Sequence, residues 1–405
     1  MDISSSSSLQ NCEVTKGEET LRYLQGLLST LPLFQRLHDD LEVIEYQAQR
    51  YQNFDDILIL GTGGSSLGGQ ALTALRQTSS PRLHFLDNID ASTFDHALKK
   101  ISLARTGVIA ISKSGNTAET LMQLLTCFHF WKGLDLTQHF LIVSEPGNNA
   151  IRELAAALYL PTLDHPHDVG GRFSVFTVVG MLPSFIAGVD GREVRVGALE
   201  VLSGLSQATV GNCSPLIAAM MQESLQKQGV NQSVFFTYCD RLQKLACWYS
   251  QLWAESLGKK DSNGQSHGTT PLQATGATDQ HSQLQLYLEG PRNKFFTVLT
   301  LSQQHVLPKV EASSYHHPAL LSLHDKTMGD LMIAEQRATI DTLRLNNCPV
   351  RELAIKNLTP KNMGALMMNF ILETLAMAHL LKVNPFDQPA VEGGKHLALK
   401  YLESL

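Results

Sequence analysis

Three short apolar runs, each closed by a polar, glycine- or proline-containing turn, constrain this fold more than any other feature. Ile57–Leu60, Val108–Ile111 and Phe140–Val143 are uninterrupted blocks of aliphatic and aromatic residues. A strand with one wet face alternates apolar and polar residues, whereas a strand buried on both faces reads as continuous. Each block is followed by a helix-like segment, which is the rhythm of a parallel sheet built from strand–helix–strand units. A second series starts near residue 215. Ser233–Tyr238, Phe295–Leu301 and Val350–Ile355 read as strands, a helical stretch runs to Glu255, and a polar, glycine-containing loop spans Lys259 to Gly276. The expected fold class is α/β, doubly wound with a mainly parallel sheet. A chain of 405 residues exceeds what one core usually supports, so two similar α/β units are expected, although no internal repeat can be aligned. Periodicity thins out over residues 190–215, which places the division at 19–200 and 201–405.

The flanking segments read simply. The serine run Ser4–Ser8 marks residues 1–18 as a disordered tail, and Thr20 to Gln52 carries leucines at helical spacing with a break near Pro32. Thr359-Pro360 is a helix start, with a hydroxyl at the N-cap and proline at the first helical position. The methionines that follow read as core packing.

Composition excludes several functions. Net charge is −6 with both signs interspersed, so there is no basic stripe for nucleic acid. The N-terminus lacks the cationic start and apolar stretch of a secretion signal. The most apolar run, Val178–Val189, is too short for a bilayer and contains Pro183. Six scattered cysteines without a C-x-x-C pair suit reduced thiols, so a soluble, cytoplasmic protein is expected, without membrane contact. His165 with His167, and His316 with His317, lack the further ligands a metal site needs, so no metal is expected.

In an open parallel sheet, ligands bind beyond the carboxyl ends of the strands. The first strand ends in GTGGSSLGG, Gly61–Gly69. It lacks the third glycine of a dinucleotide fingerprint and the lysine of a Walker loop. Gly64 would let backbone approach a ligand and Ser65 offers a hydroxyl; a plain tight turn is the alternative. The second strand ends in SKSGNTAET. Ser112, Ser114, Thr117 and Thr120 place four hydroxyls at a helix opening beside Lys113. Unpaired amides and the helix dipole suit an anion there. The competing explanation is a capping box from Asn116 and Glu119, but a cap needs one hydroxyl and this loop has four. Further along, VGGRFS presents Arg172, WAESLGKK presents Glu255, TDQHSQ presents His281, and NPFDQPAVEGGK presents Gln388 and Lys395. Gly393 and Gly394 each cost a helix about 1 kcal/mol, so a close approach of backbone or ligand is expected beside them.

Six of these segments, GTGGSSLG, SKSGNTAET, VGGRFS, AESLGK, TDQHSQ and NPFDQPAVEGGK, occur in the order that resembles the glucose-6-phosphate isomerase family. They run from Gly61 to Lys395. The resemblance implies two sugar-isomerase domains of flavodoxin-like three-layer form, a homodimer with interfacial sites, a sugar-phosphate substrate and no cofactor. It implies that Ser112, Ser114, Thr117 and Thr120 hold the 6-phosphate, with Lys113 close by, and that Gly64 and Ser65 line the sugar. It further implies Glu255 as the base, His281 (from the partner subunit) and Lys395 in ring opening, Arg172 against the charged intermediate, and Gln388 and Glu119 on the substrate. The sequence departs from the pattern at Gly115-Asn116, where larger members commonly have Phe-Thr, and at Ala390, where glycine is usual. Glucose 6-phosphate and fructose 6-phosphate are the expected substrates. The competing readings are an isomerase that also accepts mannose 6-phosphate, a non-catalytic sugar-phosphate regulator, and an amino-sugar isomerase or lyase, the last disfavoured by FDQPAVEGGK.

Overall fold

The computed structural model describes residues 11–77, 81–302 and 307–405. Two parallel sheets form its framework. The first contains β1 (Asp56–Leu60), β2 (Arg82–Leu86), β3 (Thr106–Ile111), β4 (Phe140–Ser144) and β5 (Thr162–Asp164), in the order β2-β1-β3-β4-β5. The second contains β6 (Gln232–Thr237), β7 (Thr270–Thr275), β8 (Lys294–Leu301) and β9 (Val350–Ile355), in the order β7-β6-β8-β9. Every pairing is parallel. The first order is that of flavodoxin-like sheets, and the second repeats it without the last strand. In each, the strand order reverses beside the first strand, which puts a crevice between β1 and β3 and another between β6 and β8.

Strand side chains alternate between two dry faces, as the two-residue period requires. Ile57, Ile59, Ile109 and Ile111 join the central core, while Leu58, Leu60, Val108 and Ala110 pack under the outer helices. In the second sheet Phe235 and Leu299 face the central core, and Val234, Phe236 and Val298 face outward. One core thus runs between the sheets. Among the helices that fill it are Val178–Ile186, Gln243–Leu257 and Pro360–Leu381. The last is long and apolar enough to cross a membrane but is mostly buried here. Thr359 caps it by accepting from the Asn362 amide at 3.2 Å, and Met363, Met367, Met368 and Met377 lie in the core.

The described part of the expected tail is ordered helix instead: Asn11–Thr30 is continuous. Its polar start is held from outside. Lys16 Nζ lies 2.5 Å from Glu223, and a Cβ on Gly17 would stand 2.9 Å from Val210. Residues 1–10, including the serine run, lie outside the described residues. The last third of the expected loop Lys259–Gly276 is strand. It contains β7, an edge strand, where Pro271 is tolerated because no neighbour needs its missing N–H.

Candidate active site

The site begins where β1 ends. Gly64 lies beneath another stretch of backbone, and a Cβ there would stand 2.3 Å from the Gly171 carbonyl carbon and 2.8 Å from the Arg172 nitrogen. Gly64 is therefore needed for the passage of the Gly171-Arg172 backbone, whereas the approach expected there was that of a ligand. Gly61, three residues earlier, touches the end of β3, since a Cβ on it would meet the Ile111 carbonyl oxygen at 2.9 Å. Ser65 is half-buried beside them.

This crossing aims Arg172 inward. Its side chain is 2% exposed, and each of its five N–H groups has an acceptor. Nε donates to Ser256 Oγ at 2.9 Å. Nη1 donates to Glu255 Oε1 at 2.8 Å and Gln388 Oε1 at 3.2 Å. Nη2 donates to the Asp387 carbonyl at 2.9 Å and also to the Pro385 carbonyl. Burial lowers its pKa below the usual arginine value, while the Glu255 carboxylate opposes that shift. Glu255 ends the helix Gln243–Leu257 and is 28% exposed, so one face remains open to a ligand. Its Oε2 accepts from Gln251 Nε2, one turn earlier, at 3.0 Å. A base candidate, a fixed cation and an exposed amide thus converge from three distant stretches of sequence.

The hydroxyl loop follows β3. Gly115 has φ of +67°, and a Cβ on it would collide with the Asn149 side chain. The loop is also locked to the helix Ala150–Ala157: Gly115 O accepts from Ile151 N at 3.0 Å, and Asn116 Oδ1 from Ala150 N at 3.0 Å. Asn116 is therefore committed elsewhere and does not cap the helix Ala118–Phe130. Thr117 is the N-cap and makes no side-chain cap bond, so the capping-box explanation fails. Ser112 Oγ donates to Thr117 Oγ1 at 3.0 Å, and the hydroxyl of buried Thr120 has no protein partner. The outcome is a helix start with free amides, lined by hydroxyls, which suits an anion. Ser114 Oγ accepts from Asn116 N at 3.3 Å, and Glu119 is exposed. Lys113 lies to one side, with Nζ 3.4 Å from Glu145.

Two expected residues are not brought to Arg172 within the chain. His281 is exposed on the short turn Thr278–His281, after the carboxyl end of β7. The helix that carries Glu255 runs antiparallel to β7, since Ser250 Oγ accepts from Gln273 Nε2 and Trp253 Nε1 donates to Thr269 Oγ1. Glu255 therefore lies near the start of β7 and His281 past its end. Lys395 stands on the exposed helix Glu392–Leu402 with Nζ 2.7 Å from Glu392 of its own helix. Gly393 and Gly394 have open space around them, so the close approach expected there is not made within the chain. Sequence reading missed Gln251, Ser256 and Gly171 as supports. The Gln251–Glu255 spacing of four residues was the available signal.

Among the described residues no group of three His, Cys, Asp or Glu side chains could hold a metal. His165 is buried, and its Nδ1 donates to the Pro166 carbonyl at 2.8 Å.

Comparison with known proteins agrees with this architecture. The family model described as phosphoglucose isomerase matches residues 29–405. A glucose-6-phosphate isomerase of Thermus thermophilus is 35% identical over 379 residues, covering 90% of this chain and 89% of that protein. A solved structure of a hypothetical protein from the same organism superposes with a TM-score of 0.86 at 33% identity, covering 95% of this chain and 94% of that one. The glucose-6-phosphate isomerase of Chlamydia trachomatis shares the fold, with a TM-score of 0.72 at 20% identity over 100% of this chain and 93% of that one. The chain belongs to the phosphoglucose isomerase family.

Proposed function

We propose that the protein interconverts glucose 6-phosphate and fructose 6-phosphate, and the observation that carries this is the Arg172–Glu255–Gln388 cluster, tied by the segment Gly61–Gly64 to the end of β3, where the hydroxyl loop starts. The phosphate sits on the free amides of the helix Ala118–Phe130, among Ser112, Ser114, Thr117 and Thr120. Gly64 and Ser65 line the sugar, and Glu119 and Gln388 contact its hydroxyls. His281 and Lys395 move protons at the ring oxygen and the anomeric hydroxyl to open the ring. Glu255 then takes the C2 proton and returns it to C1, since one carboxylate can accept and deliver the same proton. Negative charge gathers on oxygen in the enediolate, and the buried Arg172 guanidinium lies next to it without having to reorient. No metal or cofactor enters these steps.

A homodimer with shared sites belongs to this proposal. It is supported by His281 lying at the far end of its unit from Glu255, and by exposed apolar side chains on the C-terminal helix, among them Leu397, Leu399, Tyr401 and Leu402. We also place the protein in the cytoplasm, where it would serve sugar-phosphate metabolism; Cys127, Cys213, Cys239, Cys247 and Cys348 are free thiols. The division into two sugar-isomerase domains near residue 200 is part of the same reading.

The test is an activity screen with fructose, mannose and glucosamine 6-phosphates. Turnover of fructose 6-phosphate to glucose 6-phosphate is expected to be the fastest. Binding of these sugars without turnover would favour a regulator, and preference for the amino sugar would contradict the proposal.

A further inference from the structure

Lys259 stands four residues beyond Glu255, just past the end of the same helix. Its side chain is 10% exposed, although lysine is normally among the wettest residues. The ammonium has three acceptors, all on one short segment: Asn384 O at 3.1 Å, Asp387 Oδ1 at 2.6 Å and the Asp387 carbonyl. The segment is also tied to itself. Asn384 Nδ2 donates to Asp387 Oδ2 at 2.8 Å, and Phe386 N to Asn384 Oδ1 at 3.1 Å. Arg172 grips the same turn from the other side through the Pro385 and Asp387 carbonyls. The Asp387 carbonyl is thus shared by two cations.

The next residue, Gln388, reaches Arg172 with its side chain. Apart from buried Pro385 and the ring contact of Phe386 with Phe173 at 5.6 Å, the turn has little apolar anchorage. It leads directly into the helix Glu392–Leu402, which has no buried residue. The Lys259 ammonium holds the Asp387 carboxyl below the usual carboxylate range.

We infer that Lys259 is a positioning residue: it clamps the turn 384–388 onto the end of the Glu255 helix, sets Gln388 against Arg172, and fixes the root from which Lys395 projects. The catalytic part of this inference rests on the isomerase reading above. Lys259 itself does not act as an acid or base, since all three of its hydrogens are engaged.

The test uses the full chain with Lys259→Met, Lys259→Arg and Asp387→Asn. Lys259→Met is expected to lower kcat about tenfold or more, because misplacement of one site element by about 1 Å weakens catalysis on that scale or beyond. KM should change by no more than about twofold, because the hydroxyl loop belongs to the other sheet. Lys259→Arg, which keeps a cation with several donors, should recover part of the rate. Independently of turnover, amide hydrogen exchange over residues 386–395 should quicken about tenfold in Lys259→Met and stay unchanged in the strands. Unchanged exchange with kcat within about twofold of wild type would overturn the clamp. An inactive wild type would instead overturn the isomerase reading, and the exchange measurement alone would then decide the clamp. Should Lys259→Met fail to fold, Asp387→Asn removes only the carboxylate charge. A smaller rise in exchange is expected from it, and no rise would overturn the clamp.

Discussion

Arg172 shows how donor counting decides the geometry of the site. Its five N–H groups meet five oxygens from Ser256, Glu255, Gln388, Pro385 and Asp387, so the guanidinium cannot rotate without leaving a buried partner unsatisfied. A lysine there would offer three donors and no planar fork. His165 illustrates a titratable group held neutral. It is 1% exposed, and burial lowers its pKa from 6.5 to about 4. Between those values the unfolded chain takes up a proton that the folded chain refuses. The unfolded state then binds more protons, so stability falls as pH drops from about 6.5 toward 4 and is unaffected by this group above that window. The full effect is about 3 kcal/mol. Urea unfolding at pH 7.5 and pH 5 measures it: the loss of stability at the lower pH should be clearly smaller in His165→Asn than in wild type. An equal loss would contradict this placement of the proton.

At the scale of elements, legibility followed burial. Strands covered on both faces were readable as apolar blocks: β1, β3, β4, β6 and β8 appear within two residues of their expected limits. The strands that escaped notice are β2, β5 and β7, and all three lie at sheet edges. Edge strands meet a neighbour on one side only and carry polar residues, so Thr270–Thr275 looked like a loop and Thr162–Asp164 like nothing at all. β9 is also an edge, but Val350–Ile355 keeps four apolar residues, Val350 and the run Leu353–Ile355, and was readable. The hydroxyl loop was legible because its chemistry is concentrated in nine consecutive residues. The cluster at Arg172 was not, since residues 64, 172, 255 and 388 meet only through the fold; there, resemblance to a family supplied what periodicity could not. Only the first turns of the helix Asn11–Thr30 were misread as tail, because they are held by Glu223, Val210 and Met220, far away in the sequence.

At the scale of the whole molecule, the proposed dimer makes a quantitative prediction. If each site combines Glu255 of one chain with His281 of another, a mixture of Glu255→Gln and His281→Ala chains contains heterodimers with one intact site. Random reassortment of a two-fold dimer makes half the molecules heterodimeric, so activity should recover to roughly a quarter of wild type. Sites built within single chains would give no recovery after refolding the two variants together. The reaction itself is tested most directly by proton exchange. Fructose 6-phosphate is equilibrated with the enzyme in deuterated water, and deuterium at C2 of the glucose 6-phosphate formed is measured by NMR. Wild type should place deuterium there, and Glu255→Gln should do so about a thousandfold more slowly, as expected for loss of a general base. Conversion without deuterium at C2, or an undiminished rate in Glu255→Gln, would contradict proton transfer by Glu255.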